Sequence, residues 1–261
     1  MDVASNAAKH EQKEVGTAIP DGINAWVFDL DNTLYPAECH LFRQIDANMA
    51  LFIQRLLSLP ADKARALQKH YYVKYGTTLS GLMREHGVQP AEFMSFVHDI
   101  DLSAVPENPR LAEYIAALPG QKSIFTNGSV AHAENVIGKI GLSGLFDNIF
   151  DIEAADFTPK PHHNAYRHFL ARTNIDPQNA IMFEDLADNL AVPHALGMTT
   201  VLICSNARWM DDEPVDKRPA TGDMKAHLEH EHIHHVTDDI TSFLGDIVRT
   251  LTSTPTIGAA I

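Results

Sequence analysis

The segment Ala25-Trp26-Val27-Phe28 is apolar and ends on two carboxylates two residues apart, Asp29 and Asp31. A run without polar alternation reads as a strand covered on both faces, as inside a parallel sheet. Ligands of such sheets collect beyond the carboxyl ends of the strands. Taken alone, an Asp-x-Asp is more often a solvated turn or a helix start. The same reading of the rest of the chain, however, places four more polar groups at strand ends or in the loop just after one: Thr126, Lys160, Glu184 and Asp185. Each has a plainer reading by itself. Thr126 could cap the next helix, Lys160 could be one more surface lysine, and Glu184-Asp185 could favour a helix N-terminus. In a parallel sheet all of these ends share one edge. Two carboxylate pairs, a hydroxyl and an amine on that edge form a set that chance placement does not readily supply.

The elements that must position this set alternate. Short apolar strands are expected at Lys122–Thr126, Asn148–Ile152, Ala180–Phe183 and Thr199–Cys204, with helices at Asn108–Leu118, Val130–Ile140, Pro161–Thr173 and Ala187–Leu196. His234-His235-Val236 would add an edge strand, and Asp238–Leu251 a last amphipathic helix with an Asp N-cap. Alternation of this kind is the signature of an α/β, doubly wound parallel sheet. One stretch departs from it. After Pro36, Leu41, Phe42, Ile45, Met49, Phe52, Ile53, Leu56 and Leu57 recur at helical spacing. Further helices are expected from about Asp62 to Tyr75, from Thr78 to Glu85 and from Pro90 to Val97, with no convincing strand between. The expected organisation is a flexible N-terminal arm (1–20), a core (21–36 and 105–251), a small all-helical module inserted after the first strand (37–104) and a loose tail (252–261). Residues 205–232 read as an acidic surface loop.

Composition sets limits. The chain has 261 residues, of which 45% are hydrophobic, and a net charge of −14. No basic stripe is visible, which argues against a nucleic-acid polymer as partner. An acidic protein that handles a small phosphate needs a local cation, either a metal or a well-placed lysine. Two distant cysteines, Cys39 and Cys204, make neither a disulfide framework nor a metal cluster. No secretory signal or membrane-spanning run is evident, so a cytoplasmic protein without membrane contact is expected.

In order and in type, Asp29-Leu30-Asp31-Asn32-Thr33, Thr126, Lys160 and Glu184-Asp185 resemble the motifs of the haloacid dehalogenase superfamily of phosphohydrolases. The resemblance covers roughly residues 23–204. It implies a Rossmann-like core and Mg2+-dependent transfer of a phosphoryl group through an aspartyl-phosphate. Carried over residue by residue, Asp29 is the nucleophile and Asp31 the general acid/base. Asp29, the backbone carbonyl of Asp31 and Asp185 are the metal ligands. Lys160, Thr126 and the Asn127-Gly128 turn bind phosphate. As general acid Asp31 must hold a proton at neutral pH, which a pKa raised by neighbouring carboxylates would allow. Many relatives carry an Asp four residues after the metal-binding one; here that position is Asn189, which leaves its role and that of Glu184 open.

The inserted helices occupy the place of the superfamily's small cap, which closes over the site and reads the substrate beyond its phosphate. The wording Asp-Asn-Thr-Leu-Tyr-Pro, the segment Tyr75–Leu82 and Thr126-Asn127-Gly128-Ser129-x-x-His132-Ala133 resemble pyrimidine 5′-nucleotidases. This implies hydrolysis of nucleoside monophosphates such as UMP or CMP. The alternatives are a phosphatase of sugar phosphates or phosphoglycolate, a 2-haloacid dehalogenase, against which Asp31 speaks, and a non-catalytic interaction module. Candidate substrate contacts at the cap are Tyr35, His40 and Arg43. His227, His230, His232, His234 and His235 cluster in sequence, where a solvated loop next to a strand is expected rather than a metal site.

Overall fold

The computed structural model describes residues 18–205 and 220–253. Strand β1 (Ala25–Phe28) is wholly buried and hydrogen-bonded on both sides. The chain continues through a 3-10 turn (Ala37–Cys39) into α1 (Leu41–Leu57), α2 (Ala61–Tyr75), α3 (Thr78–His86) and α4 (Pro90–Val97). It then alternates: α5 (Pro109–Ala117), β2 (Gln121–Phe125), α6 (Val130–Ile140), β3 (Asn148–Phe150), α7 (His163–Thr173), β4 (Ala180–Glu184), α8 (Ala191–Leu196) and β5 (Thr199–Ile203). A short α9 (Met224–His227), β6 (His235–Thr237) and α10 (Ile240–Ser253) follow.

The six strands form one parallel sheet in the order β3-β2-β1-β4-β5-β6. The period of two along β1 divides its side chains between two cores. Trp26 and Phe28 face the layer of α5, α6 and α10, where Phe28 stacks on Phe183 with ring centroids 4.8 Å apart. Ala25 and Val27 face the layer of α7, with Tyr166 and Phe169. Burial of the Trp26 indole is matched by a hydrogen bond from its Nε1 to Pro119 O at 2.7 Å. Helix starts follow local chemistry. The side chains of Asn108 and Ser129 accept the N–H of Leu111 and His132 at the starts of α5 and α6. Asp239 does the same for Thr241 and Ser242 ahead of α10.

Helices α1 to α4 gather around apolar residues of their own, among them Ile45, Phe52, Ile53, Leu82, Phe93 and Val97. The amphipathic stripe of α1 thus packs on its neighbours in the insert, while Leu41 and Tyr35 belong to the core of the sheet.

Three expectations need correction. The helix expected over Ala187–Leu196 is broken into a 3-10 turn (Ala187–Leu190) followed by α8. Pro193 has no N–H to give the Asn189 carbonyl, and that carbonyl instead accepts the Tyr166 hydroxyl at 2.6 Å. The helix expected from Pro161 begins at His163, because the His162 side chain caps it by accepting the Asn164 N–H. The final helix runs to Ser253, two residues past its expected end. The N-terminal arm before residue 18, the segment 206–219 of the acidic loop and the tail after 253 lie outside the described residues.

Candidate active site

The Asp29 N–H bonds Phe183 O at 2.9 Å, a last rung of the β1–β4 ladder. The chain passes from β1 to β2 and β3 on one side and then returns from β3 to β4 on the other side of β1, which opens a crevice at the switch point. The chain turns there at once. Asn32 adopts a left-handed conformation (φ 60°) that its short amide tolerates, and the N–H groups of Thr33 and Leu34 return to Leu30 O. The Thr33 hydroxyl donates to Asp29 Oδ2 at 3.3 Å.

Lys160 comes from the loop after β3 and is buried with its amine fully used. It donates to Asp29 Oδ1 at 2.7 Å, Glu184 Oε2 at 2.7 Å and Phe125 O at 2.8 Å, which accounts for all three ammonium protons. Asn127 grips the Lys160 backbone at both ends, accepting its N–H at 2.9 Å and donating to its carbonyl at 3.3 Å. The Asn127 side chain therefore holds the lysine. Thr126 Oγ1 accepts the Gly128 N–H at 2.9 Å, which leaves its own O–H as a donor toward the crevice.

Glu184 is engaged on both oxygens. Lys160 takes one, and Asn189 Nδ2 (3.0 Å) and the Leu186 N–H (3.4 Å) take the other. Asp185 Oδ2 accepts from Asn32 Nδ2 at 3.3 Å. Asp29, Glu184 and Asp185 are buried, with one carboxylate oxygen of each within 4.8 Å of the others, and among the described residues the ammonium bonded to this group is that of Lys160. Burial and the Glu184 charge outweigh the pull of Lys160 and push the Asp29 carboxyl up to about 7. Burial, Glu184 and Asp29 likewise hold Asp185 well above the ordinary carboxylate range. Burial alone would lower the Lys160 amine, but the Asp29 and Glu184 charges raise it.

A trio of carboxylates short of positive charge is suited to a hard divalent cation. Since Glu184 is already bound on both oxygens, Asp29 and Asp185 are the side chains left to hold it. Asn32 Oδ1 is buried at this point, lines the crevice and lacks a hydrogen-bond partner, so it is an acceptor suited to a metal-bound water. The residues present fit such an ion.

Asp31 departs from expectation. Its Oδ1 accepts the Tyr35 hydroxyl at 2.7 Å and lies 2.8 Å from His132 Nε2. Burial would raise its carboxyl, but the charge and hydrogen bond of His132 and the Tyr35 hydroxyl outweigh burial and lower it. The expectation that neighbouring carboxylates raise it is thus corrected: Asp29, Glu184 and Asp185 cluster with one another, while Asp31 turns toward a histidine. His98, which caps the end of α4, stacks on His132 with ring centroids 4.2 Å apart and an interplanar angle of 9°. Burial, then the His132 charge, push His98 down to about 3. Its Nδ1 meets the Ser129 hydroxyl at 3.1 Å.

A cavity runs from Asp29, Asp31, Thr126 and Lys160 into the helical insert. Its wall there is formed by Phe42, Ile45, Asp46 and Met49 of α1, by Gln68, Lys69 and Tyr72 of α2, and by residues of α3 and α4. The three expected substrate contacts are not among its lining residues. Tyr35 is buried on Asp31, and His40 and Arg43 are exposed. Arg43 sits roughly 100° round the helix from Phe42, so the apolar stripe of α1 rather than its charged start faces the cavity. The signal was present in sequence as Asp46, a carboxylate within that stripe. His132 and Asn32 also stood within the quoted motifs without a role; no spacing rule tied them to Asp31 and Asp185. Among the clustered histidines, His234 Nδ1 meets the Thr200 N–H and hydroxyl, and His227 meets Thr221 O.

Comparison with known proteins bears on this geometry. "Phosphate metabolism protein 8" of Saccharomyces cerevisiae is 25% identical over 192 residues, a match that takes in 67% of this chain and 60% of that protein. The chain thus spans about 60% of the length of that curated relative. Among solved structures, a HAD phosphatase from Thermococcus onnurineus is similar with a TM-score of 0.53 at 16% identity, over 87% of this chain and 97% of that one. L-2-haloacid dehalogenase from Xanthobacter autotrophicus is similar with a TM-score of 0.50 at 15% identity, over 89% and 99%. At such identities both establish the fold alone. A protein-family model described as a haloacid dehalogenase-like hydrolase matches residues 23–197. With the doubly wound sheet and its acidic switch-point crevice, that match makes this chain a member of the haloacid dehalogenase-like hydrolases.

Proposed function

We propose that this hydrolase is a Mg2+-dependent phosphomonoesterase that works through an aspartyl-phosphate, and that its substrates are pyrimidine nucleoside monophosphates such as UMP and CMP. The observation that carries the reading is the division of labour between two carboxylates. Asp29 is bound to Lys160, which it shares with Glu184, and stands beside Asp185. Asp31 lines the same cavity but is held apart by His132 and Tyr35. A dehalogenase has no use for the second carboxylate.

Mg2+, held by Asp29, the Asp31 backbone carbonyl and Asp185, would offset the repulsion between a carboxylate and a phosphate dianion. Lys160 fixes Asp29 in one rotamer and adds a positive charge beside the transferring oxygens. The Thr126 hydroxyl and the Asn127 backbone N–H orient the phosphate. Asp29 attacks phosphorus in line as the bond to the leaving oxygen breaks. Asp31 passes a proton to that oxygen. Asp31 Oδ1, 2.8 Å from His132 Nε2 and bonded by the Tyr35 hydroxyl, is held in place for that transfer. With the nucleoside gone, Asp31 accepts a proton from water, whose oxygen attacks phosphorus and releases Asp29. The helical insert serves as the cap that excludes bulk water and holds the nucleoside. The name of the yeast relative, with its reference to phosphate metabolism, is consistent with phosphate release.

The test is phosphate release with Mg2+ across UMP, CMP, sugar phosphates, phosphoglycolate and p-nitrophenyl phosphate, for the wild type and for Asp29→Asn. UMP and CMP should rank first, and Asp29→Asn should abolish turnover. A higher rank for the sugar phosphates or phosphoglycolate would remove the nucleotide assignment. Undiminished turnover in a folded Asp29→Asn protein would remove the mechanism.

A further inference from the structure

The cap end of the cavity holds a buried polar cluster whose composition points to what it recognises. Asp46 of α1 is buried, and its carboxylate takes three donors from α2. Arg65 Nη1 binds Oδ2 at 2.8 Å, while Gln68 Nε2 at 2.6 Å and Lys69 Nζ at 2.7 Å share Oδ1. A carboxylate paired with Lys and Arg only accepts hydrogen bonds. This orients the Gln68 amide chemically: nitrogen toward Asp46, oxygen away from it. Gln68 is 2% exposed, lines the cavity, and its Oε1 has no hydrogen-bond partner. A buried acceptor left without a donor is destabilising and is uncommon in a well-packed protein. Here it is positioned by an ion-pair network that reaches across two helices.

The surroundings narrow the donor. Lys69 lies beside Gln68 in the same wall and supplies N–H groups, and Phe42, Tyr72 and Phe93 line the cavity with flat or apolar surface. An acceptor next to a cation, within an aromatic wall, matches a planar ring whose edge carries an N–H beside an acceptor. We propose that Gln68 Oε1 accepts an N–H of the pyrimidine edge (N3–H in uracil, the N4 amino group in cytosine) while Lys69 donates to the adjacent acceptor (O4 in uracil, N3 in cytosine), which makes Gln68 a specificity-determining residue for a pyrimidine base. This deepens the nucleotidase reading and rests on it. Asp46 and Arg65 are positioning residues, which fix the amide so that its oxygen faces the ligand.

The test compares UMP with N3-methyl-UMP, in which the ring N–H is replaced by a methyl group and the phosphate end is untouched. On the wild-type protein with Mg2+, kcat/KM for UMP should exceed that for N3-methyl-UMP by roughly 10- to 100-fold, because the methyl compound leaves Oε1 unpaired. In Gln68→Met, of nearly the same shape, that ratio should collapse toward one. Equal rates on the wild type, or a preference that survives in Gln68→Met, overturns the assignment, and the wild-type comparison stands even if the variant does not fold. Wild-type turnover of p-nitrophenyl phosphate separates the two readings. Turnover of that ester without discrimination between the nucleotides removes the Gln68 assignment and leaves the phosphatase. If no ester is hydrolysed, the catalytic reading fails, and calorimetric binding of UMP against N3-methyl-UMP decides the cap site alone: tighter UMP binding supports it, equal or absent binding overturns it.

Discussion

Nε2 of His132 lies 2.8 Å from Oδ1 of Asp31, the same oxygen that accepts the Tyr35 hydroxyl. Tyr35 precedes the helical insert in the chain, and His98, stacked on His132, follows it. Both connections to the insert therefore converge on one carboxylate. Its acidity and orientation are set by Tyr35, four residues further on, and by His132 and His98, distant in sequence.

His132→Ala removes the hydrogen bond and the charge that hold Asp31. Turnover (kcat) on UMP should fall roughly 10- to 100-fold, the usual scale of a disturbed acid/base, with KM within about threefold of the wild type. Tyr35→Phe, which removes only a hydroxyl, should act in the same direction and less. Steady-state kinetics decide the matter: a loss confined to KM would place His132 in substrate binding instead.

The metal-free protein should lose stability as pH rises from about 4 to about 7. In the unfolded chain Asp29 ionises near its ordinary 3.8, whereas in the folded protein it keeps its proton up to about 7. The folded state thus binds more protons across this window. Stability present at low pH is lost as pH climbs through the folded value, by an amount on the order of a few kcal/mol. Urea unfolding in EDTA at pH 5 and pH 8 measures it. Asp29→Asn should flatten the dependence and raise Tm at pH 8, and an unchanged slope in that variant would assign the effect elsewhere.

Mg2+ should oppose that loss. Binding requires Asp29 and Asp185 to be ionised, so affinity should rise with pH and binding should release protons, visible by calorimetry in buffers of different ionisation enthalpy. Chelation should abolish phosphate release, and added Mg2+ should restore it. Asn32→Ala removes the buried Oδ1 acceptor and the donor to Asp185; a roughly 10- to 100-fold weaker Mg2+ affinity is expected. Wild-type affinity in Asn32→Ala would show that the amide serves the turn and not the ion.

Lys160→Met leaves Asp29 and Glu184 without the ammonium that binds both. Loss of one partner of a buried ionic cluster costs about 3–5 kcal/mol. The variant should unfold at lower urea in EDTA and recover part of the loss with Mg2+, and should show no measurable turnover. Stability equal to the wild type at pH 8 would mean that the carboxylates protonate without penalty.

Much of this was legible from residue order. The run Ala25-Trp26-Val27-Phe28 marks a central strand because covering both faces demands an unbroken apolar segment, and it is paired on both sides with β2 and β4. Alternation of strands and helices leaves few topologies once crossovers are right-handed. That consequence alone puts Asp29, Thr126, Lys160 and Asp185 on one edge of the sheet. What residue order cannot carry is partnership at long range. Asp31 and His132 are 101 residues apart, and no periodicity links them, so the sign of the shift at Asp31 was inferred from its sequence neighbours and came out reversed. The face of α1 shows the same limit. A stripe of Phe42, Ile45 and Met49 reads identically whether it packs on another helix or lines a cavity, and only the packing of α2 to α4 shows that it does both. The local chain thus determined which groups the edge of the sheet carries. The tertiary structure decided which oxygen each of them meets, because acidity and orientation depend on charges and donors within a few ångströms in space, wherever in the chain they arise.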